Sequence, residues 1–263
     1  MNSALSSLPS VLAAYRPAIE KSLRPFIRIH AEIDEDVSIT QSKFGGLPYL
    51  PEDVEYPTDE DGNPLFLLAQ INCQDLPELD NFPKKGILQF YIADDDMYGL
   101  DLDEPTDQQN FRVLYFEEVD DDRRKRDFSF LPVFEDMPFE DKYSLTFEKD
   151  KAPVSPVDIH FDEVFGEAPH TFFDQYGADA DPIRREYGRV AQGNGHKMGG
   201  YAHFAQEDPR FANDDFSEAI LLLQIDSKNA IEWGDTGVAN FFILPEDLRN
   251  LNFDNVLYNW DSL

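Results

Sequence analysis

Residues 42–51 read SKFGGLPYLP and residues 196–205 read HKMGGYAHFA. Each holds a lysine, one intervening residue and a pair of glycines. Adjacent glycines supply positive φ and let backbones approach closely. Other landmarks recur with them in the same order. Lys43, Gly45 and Gly46 align with Lys197, Gly199 and Gly200 at an offset of 154, and Leu68, Gln70 and Ile71 align with Leu222, Gln224 and Ile225 at the same offset. Gly86, Phe90 and Ile92 align with Gly237, Phe241 and Ile243 at 151, and Val113-Leu114-Tyr115 with Val256-Leu257-Tyr258 at 143. The offset drifts only across loops. An internal duplication is therefore expected, with pseudo-repeats over about 25–120 and 143–263.

Each half reads as a strand, a glycine-pair loop and three more strands. PFIRIHAEI (25–33) and YSLTFE (143–148) alternate apolar and polar residues, which is the period of a strand. On the 25–33 pattern His30 falls on the polar side. LFLLAQINC, KGILQFYIA and FRVLYFEEV are short β-prone runs separated by Gly, Pro and Asp. Residues 8–24 fit an amphipathic helix with Leu12, Tyr15, Ile19 and Leu23 on one face. Residues 158–190 read as a helical insertion in the second half, with Pro169 and Pro182 at first-turn positions and Asp174, Asp179 and Asp181 as caps. Neither half offers enough apolar surface to stand alone, so the expectation is one α+β, β-rich unit over residues 1–263.

The chain holds 22 Lys+Arg against 53 Asp+Glu, a net charge of −31. Such a surface repels nucleic acid and anionic membrane; it suits a protein kept soluble by self-repulsion, or one that meets a basic partner. Cys73 is the only cysteine, which rules out an internal disulfide and suits a reducing, cytoplasmic setting. It follows an apolar run beside Asp75, so it reads as a packed residue. No run approaches the length of a membrane span, and the N-terminus lacks the basic region of a secretory signal.

FGGLPYLP, PLFLLAQIN, FPKKGILQFYI, HKMGGYAHFAQEDPR, LLLQIDS, WGDTGVANFFILPEDL and NFDNVLYNWDS together resemble the YwqG-like family of bacterial proteins, from about residue 25 to the end. Relatives often carry tryptophan before the first-half proline, where this chain has Tyr56-Pro57. The resemblance implies a duplicated α+β fold and no established activity. It suggests an immunity-type role, holding a basic protein such as a toxin.

Candidate site residues cluster in GHKMGGYAHFAQEDPR. His196, His203, Gln206, Glu207 and Asp208 lie within a short span, though not at zinc-protease spacing. One reading is an enzyme, hydrolytic or metal-dependent, around His196, His203, Glu207 and Asp208. The other has loop histidines bonded to backbone. Lys43, Gly45, Gly46, Lys197, Gly199 and Gly200 are candidates for an anion-binding turn. Gln70 and Gln224 sit inside apolar runs and need partners, either in a neighbouring loop or in a cleft. Asp94, Asp96 and Asp101 fit part of a calcium loop, but Tyr98 and Pro105 break its ligand pattern, leaving at most a weak surface cation site. No cofactor motif is present, and a non-catalytic binding protein is the preferred expectation.

Overall fold

The alternating run near the start of the chain forms the first strand of a ten-stranded antiparallel sheet. The computed structural model describes residues 5–135 and 137–263. The first half supplies β1 (Arg24–Ile33), β2 (Lys43–Phe44), β3 (Phe66–Asn72), β4 (Ile87–Ile92) and β5 (Phe111–Phe116). The second supplies β6 (Tyr143–Ala152), β7 (Lys197–Gly199), β8 (Ile220–Asp226), β9 (Val238–Ile243) and β10 (Val256–Asp261). Their order is β10-β9-β8-β7-β1-β6-β2-β3-β4-β5. Read from either end, the order is the same when each strand is replaced by its counterpart in the other half. β1 lies between β6 and β7, so the first strand of one half is seated in the sheet of the other. The halves interlock through that exchange.

The sheet curls into a nearly closed barrel. Phe90 and Phe241 meet across the interior at 4.9 Å, and Phe111 meets Tyr258 at 5.1 Å. β5 and β10 form no ladder among the described residues. Loop bonds bring the two edges together instead: Tyr258 N–H donates to Pro105 O (2.9 Å) and Gln108 Nε2 to Phe253 O (2.7 Å). One continuous core runs through strands of both halves.

The two halves repeat their details. β3 and β8 each carry a register irregularity, between Leu67 and Ala69 and between Leu221 and Leu223. Gly86 and Gly237 each lie where a Cβ would collide with a strand carbonyl, that of Phe116 and of Asp261. One alignment is corrected. β4 pairs Ile92 with Phe111, and β9 pairs Ile243 with Val256, so Phe111 corresponds to Val256 and Val113 to Tyr258. The last-strand offset is 145, not 143. A slip of two residues keeps every side chain on its face, so the apolar pattern cannot reveal it.

The N-terminal helix is also corrected. It is a 3-10 turn (Ser10–Tyr15) running into a short α1 (Arg16–Lys21), and β1 already begins at Arg24. Pro17 lacks an N–H and its ring crowds the carbonyl four residues earlier, which divides the helix. Leu12 and Ile19 are buried as expected, with Tyr15 and Leu23 packed against them. The insertion forms α2 (Phe161–Phe165), α3 (Pro169–Asp174) and α4 (Ala180–Ala191). Pro169 opens α3 and Pro182 stands in the first turn of α4 as its third residue, while Asp179 flanks α4 without a side-chain cap bond. These helices pack on the N-terminal segment through an aromatic cluster of Phe161, Phe165, Phe172, Phe173 and Tyr187. A fifth helix, α5 (Pro245–Arg249), links β9 to β10. No helix among the described residues is long and apolar enough to cross a membrane.

Candidate functional site

The glycine doublets lie in two loops held by the same bonds. Gly45 and Gly46 have φ of 67° and 74°; Gly199 and Gly200 have 71° and 70°. Gln70 Nε2 donates to Ile39 O (2.7 Å) and Gln41 O (2.9 Å), and its Oε1 accepts from Tyr49 N–H (2.7 Å). Gln224 Nε2 donates to Gly193 O (2.9 Å) and Gly195 O (2.7 Å), and its Oε1 accepts from His203 N–H (2.7 Å). Gln89 and Asn240, opposite these glutamines on β4 and β9, donate to the carbonyls of Tyr49 and His203. Both glutamines are fully buried, so their bonds replace solvation they have lost.

The lysines are anchors too. Lys43 Nζ donates to Ser38 O (2.8 Å) and Ile39 O (3.0 Å), while Lys197 Nζ donates to the carbonyls of Gln192 and Tyr201. Burial pushes each ammonium down to about 7, aided by Arg124 at Lys43 and, at Lys197, partly opposed by Asp158. With both head groups buried against carbonyls, the geometry does not assemble an anion-binding turn. Gly199 and Gly200 do border an open recess beside Arg24 and Glu218.

His196 performs the task Ser42 performs in the other half. Ser42 Oγ accepts from Asn72 N–H (2.9 Å), and His196 Nδ1 accepts from Asp226 N–H (3.1 Å). Burial, with Lys228 nearby, lowers His196 to about 4. The folded ring stays neutral while the unfolded one takes up a proton below its ordinary value of 6.5. Stability present above pH 6.5 is therefore lost as pH falls toward 4, by about 3 kcal/mol. Urea titrations should show wild type losing that much more than His196→Ser across this window. Parallel curves would contradict the assignment.

The remaining candidates do not converge with His196. Asp208 is buried and clamps Arg210 through Oδ1 to Nε (2.9 Å) and Oδ2 to Nη2 (2.7 Å). Gln206 N–H donates to Asp261 (2.8 Å), and its Nε2 donates to Ser262 O (2.8 Å). His203 is lowered mainly by burial, with Asp226 and Asp261 opposing. Among Asp94, Asp96 and Asp101, the first accepts from Glu135 N–H (3.2 Å) in a distant loop and the last from Asp103 N–H (2.8 Å) in its own. Cys73 is buried, and burial beside Asp75 pushes its thiol up to about 12, so it remains a packing residue.

What Gln206, Glu207 and Asp208 do share is the wall of a groove of about 620 Å³. Its apolar floor is Met97, Leu102, Phe211 and Trp260, and Asp261 lies beside them. Leu102 is 75% exposed and Phe211 55%. Trp260 is fixed by Nε1 donating to Met97 O (2.7 Å). The loop carrying Met97 and Leu102, residues 93–110, has seven carboxylates and no lysine or arginine. The turn at 58–63 adds three carboxylates, again without a cation, and Glu60 N–H donates to Asn110 Oδ1 (3.3 Å) to hold it alongside. One end of the barrel is thus an apolar groove with an acidic rim.

The profile of a family described as "Domain of unknown function (DUF1963)" matches residues 42–262. The chain belongs to the DUF1963 family. Comparison with curated proteins returns no match. The DUF1963 match takes in both glycine loops, the whole groove and its acidic rim. β1, which sits at the centre of the sheet, precedes it.

Behind Asp208 in this DUF1963 chain lies a buried charge network, of which the sequence marks only Asp208. Arg210 Nη2 also bonds Asp158 Oδ2 (2.9 Å), and Asp158 Oδ1 holds His160 Nδ1 (2.8 Å). Burial alone would raise the Asp158 carboxyl, but Arg210 and His160 outweigh it and hold it well below the usual range. The guanidinium stacks 4.6 Å from the Phe242 ring and donates to Ala219 O (3.1 Å). The sequence signal is slight: Asp-x-His at 158–160 and Asp-x-Arg at 208–210 are far apart in the chain and meet only when the insertion folds back.

Proposed function

We propose that this chain is a non-catalytic binding protein that holds a basic protein partner against the acidic end of its barrel. The observation that carries the proposal is the groove floored by Met97, Leu102, Phe211 and Trp260, beside loops that hold only negative charge. Exposed apolar residues ringed by charge mark interaction sites. Burying a side chain such as Leu102 or Phe211 is worth roughly 1.5–3 kcal/mol. The surrounding carboxylates would steer and orient a cationic partner rather than supply most of the affinity.

The narrower features of the proposal rest on the quoted motifs and repeated anchors: two halves descended from one duplicated unit, a YwqG-like bacterial chain, a cytoplasmic setting and an immunity-type role. No specific observation favours an enzyme around His196, His203, Glu207 and Asp208. His196 and Asp208 are buried and committed to structural bonds.

The test is a titration with a Lys/Arg-rich amphipathic peptide at low and high salt. Reversing charge at the rim, with Asp96→Lys and Asp103→Lys, is expected to weaken binding by about tenfold or more. An equal reversal elsewhere, with Asp53→Lys and Glu55→Lys, is expected to change it far less. Equal losses in the two variants would mean that only net charge matters, and the site would be withdrawn.

A further inference from the structure

His160 is 6% exposed, yet only half of its ring is accounted for. Nδ1 is held by Asp158, which is itself held by Arg210. Among the described residues no hydrogen bond is made by Nε2. A buried imidazole with one nitrogen fixed by a carboxylate and the other free is how proteins orient a histidine toward a metal. Two carboxylates complete the arrangement. Glu163 follows on α2, and Glu218 comes from the turn before β8. The ligand atoms of His160, Glu163 and Glu218 all lie within 4.8 Å of one another.

We propose that His160, Glu163 and Glu218 form a binding site for one divalent transition-metal cation, with His160 contributing Nε2. Imidazole nitrogen with two carboxylates suits borderline cations such as zinc, cobalt or manganese. His160 and Glu218 border a recess of about 310 Å³ that also reaches Gly199 and Gly200. Glu163 borders a neighbouring recess of about 360 Å³, and Arg24 belongs to both. The cation would sit where the two recesses meet, with three protein ligands and room for water or a further ligand. Arg24 lies with its guanidinium 4.5 Å from the Tyr201 ring and brings positive charge to the rim, while Asp80 opposes it from the recess wall.

The site is distinct from the acidic groove, and its test does not depend on any protein partner. The chain is treated with chelator, dialysed and titrated with cobalt(II), followed by visible absorption and calorimetry. One equivalent is expected to bind saturably, with a d–d absorption band that reports nitrogen ligation. Glu218→Gln, an exposed substitution that leaves the fold intact, is expected to weaken binding at least tenfold; His160→Gln should abolish the band. Glu55→Gln, equal in charge change but remote, should leave both signals unchanged. Absence of saturable binding would overturn the proposal. So would equal weakening by Glu218→Gln and Glu55→Gln, which would identify diffuse attraction to an acidic surface.

Discussion

Arg210→Ala is expected to lower the unfolding free energy by about 3–5 kcal/mol. Arg210 is 3% exposed and is shared by two buried carboxylates, Asp158 and Asp208. Removing it strands both charges away from water and frees the Ala219 carbonyl. The cost comes from that uncompensated burial, since an intact buried pair adds little net stability. The pH dependence identifies the cause. In wild type Asp158 is held well below its ordinary range, so its contribution is lost only under strongly acid conditions. In the variant the stranded carboxyls should titrate above their unfolded values, so stability should fall as pH rises through that range. The gap between the proteins should therefore narrow as pH falls toward 4. Urea denaturation at several pH values measures it; a gap independent of pH would point to lost packing against Phe242 instead.

The second large effect concerns the loop anchors. Gln70→Leu and Gln224→Leu should each cost about 2–4 kcal/mol. Gln224→Leu leaves two carbonyls and one N–H without their partner. Gln70→Leu takes the partner from the Gln41 carbonyl, the Tyr49 N–H and one bond of the Gln89 amide, while Ile39 O keeps Lys43. The two losses should agree to within about 1 kcal/mol and add in the double variant, since the loops share no bonds. Hydrogen exchange locates the damage: the amides of Tyr49 and His203 should lose protection in the respective variants. A large loss in one half and none in the other would show that the matching geometry does not carry matching energy.

How far the sequence revealed this depends on the range of each interaction. Strand alternation and the glycine doublets are local, and they led to eight of the ten strands and to loops with the expected positive φ; the short β2 and β7 fall in the segments read as glycine-pair loops, being too short to show a period. Gln70 and Gln224 were legible as polar residues in apolar runs that needed loop partners. The exchange of β1 and β6 was not, because pairing partners are chosen by the whole sheet and leave no mark on either strand. Nor was the two-residue slip between β5 and β10, which preserves the inside–outside pattern. Gln206, Glu207 and Asp208 were singled out as candidates for chemistry. Their surroundings give Asp208 a structural task and make Glu207 part of a groove wall, because Trp260, Met97 and Leu102 arrive from other segments. His160 went unnoticed since Glu218 and Arg210, which complete its surroundings, lie in distant sequence.

The acidic groove is most directly tested by amide and indole chemical-shift mapping while a Lys/Arg-rich amphipathic peptide is added. Perturbations are expected to concentrate in residues 94–107 and 259–262, to include the Trp260 indole N–H, and to shrink as salt is raised. Shifts spread over acidic segments such as 52–55 and 117–122 in proportion to their charge, with the Trp260 indole unmoved, would contradict it.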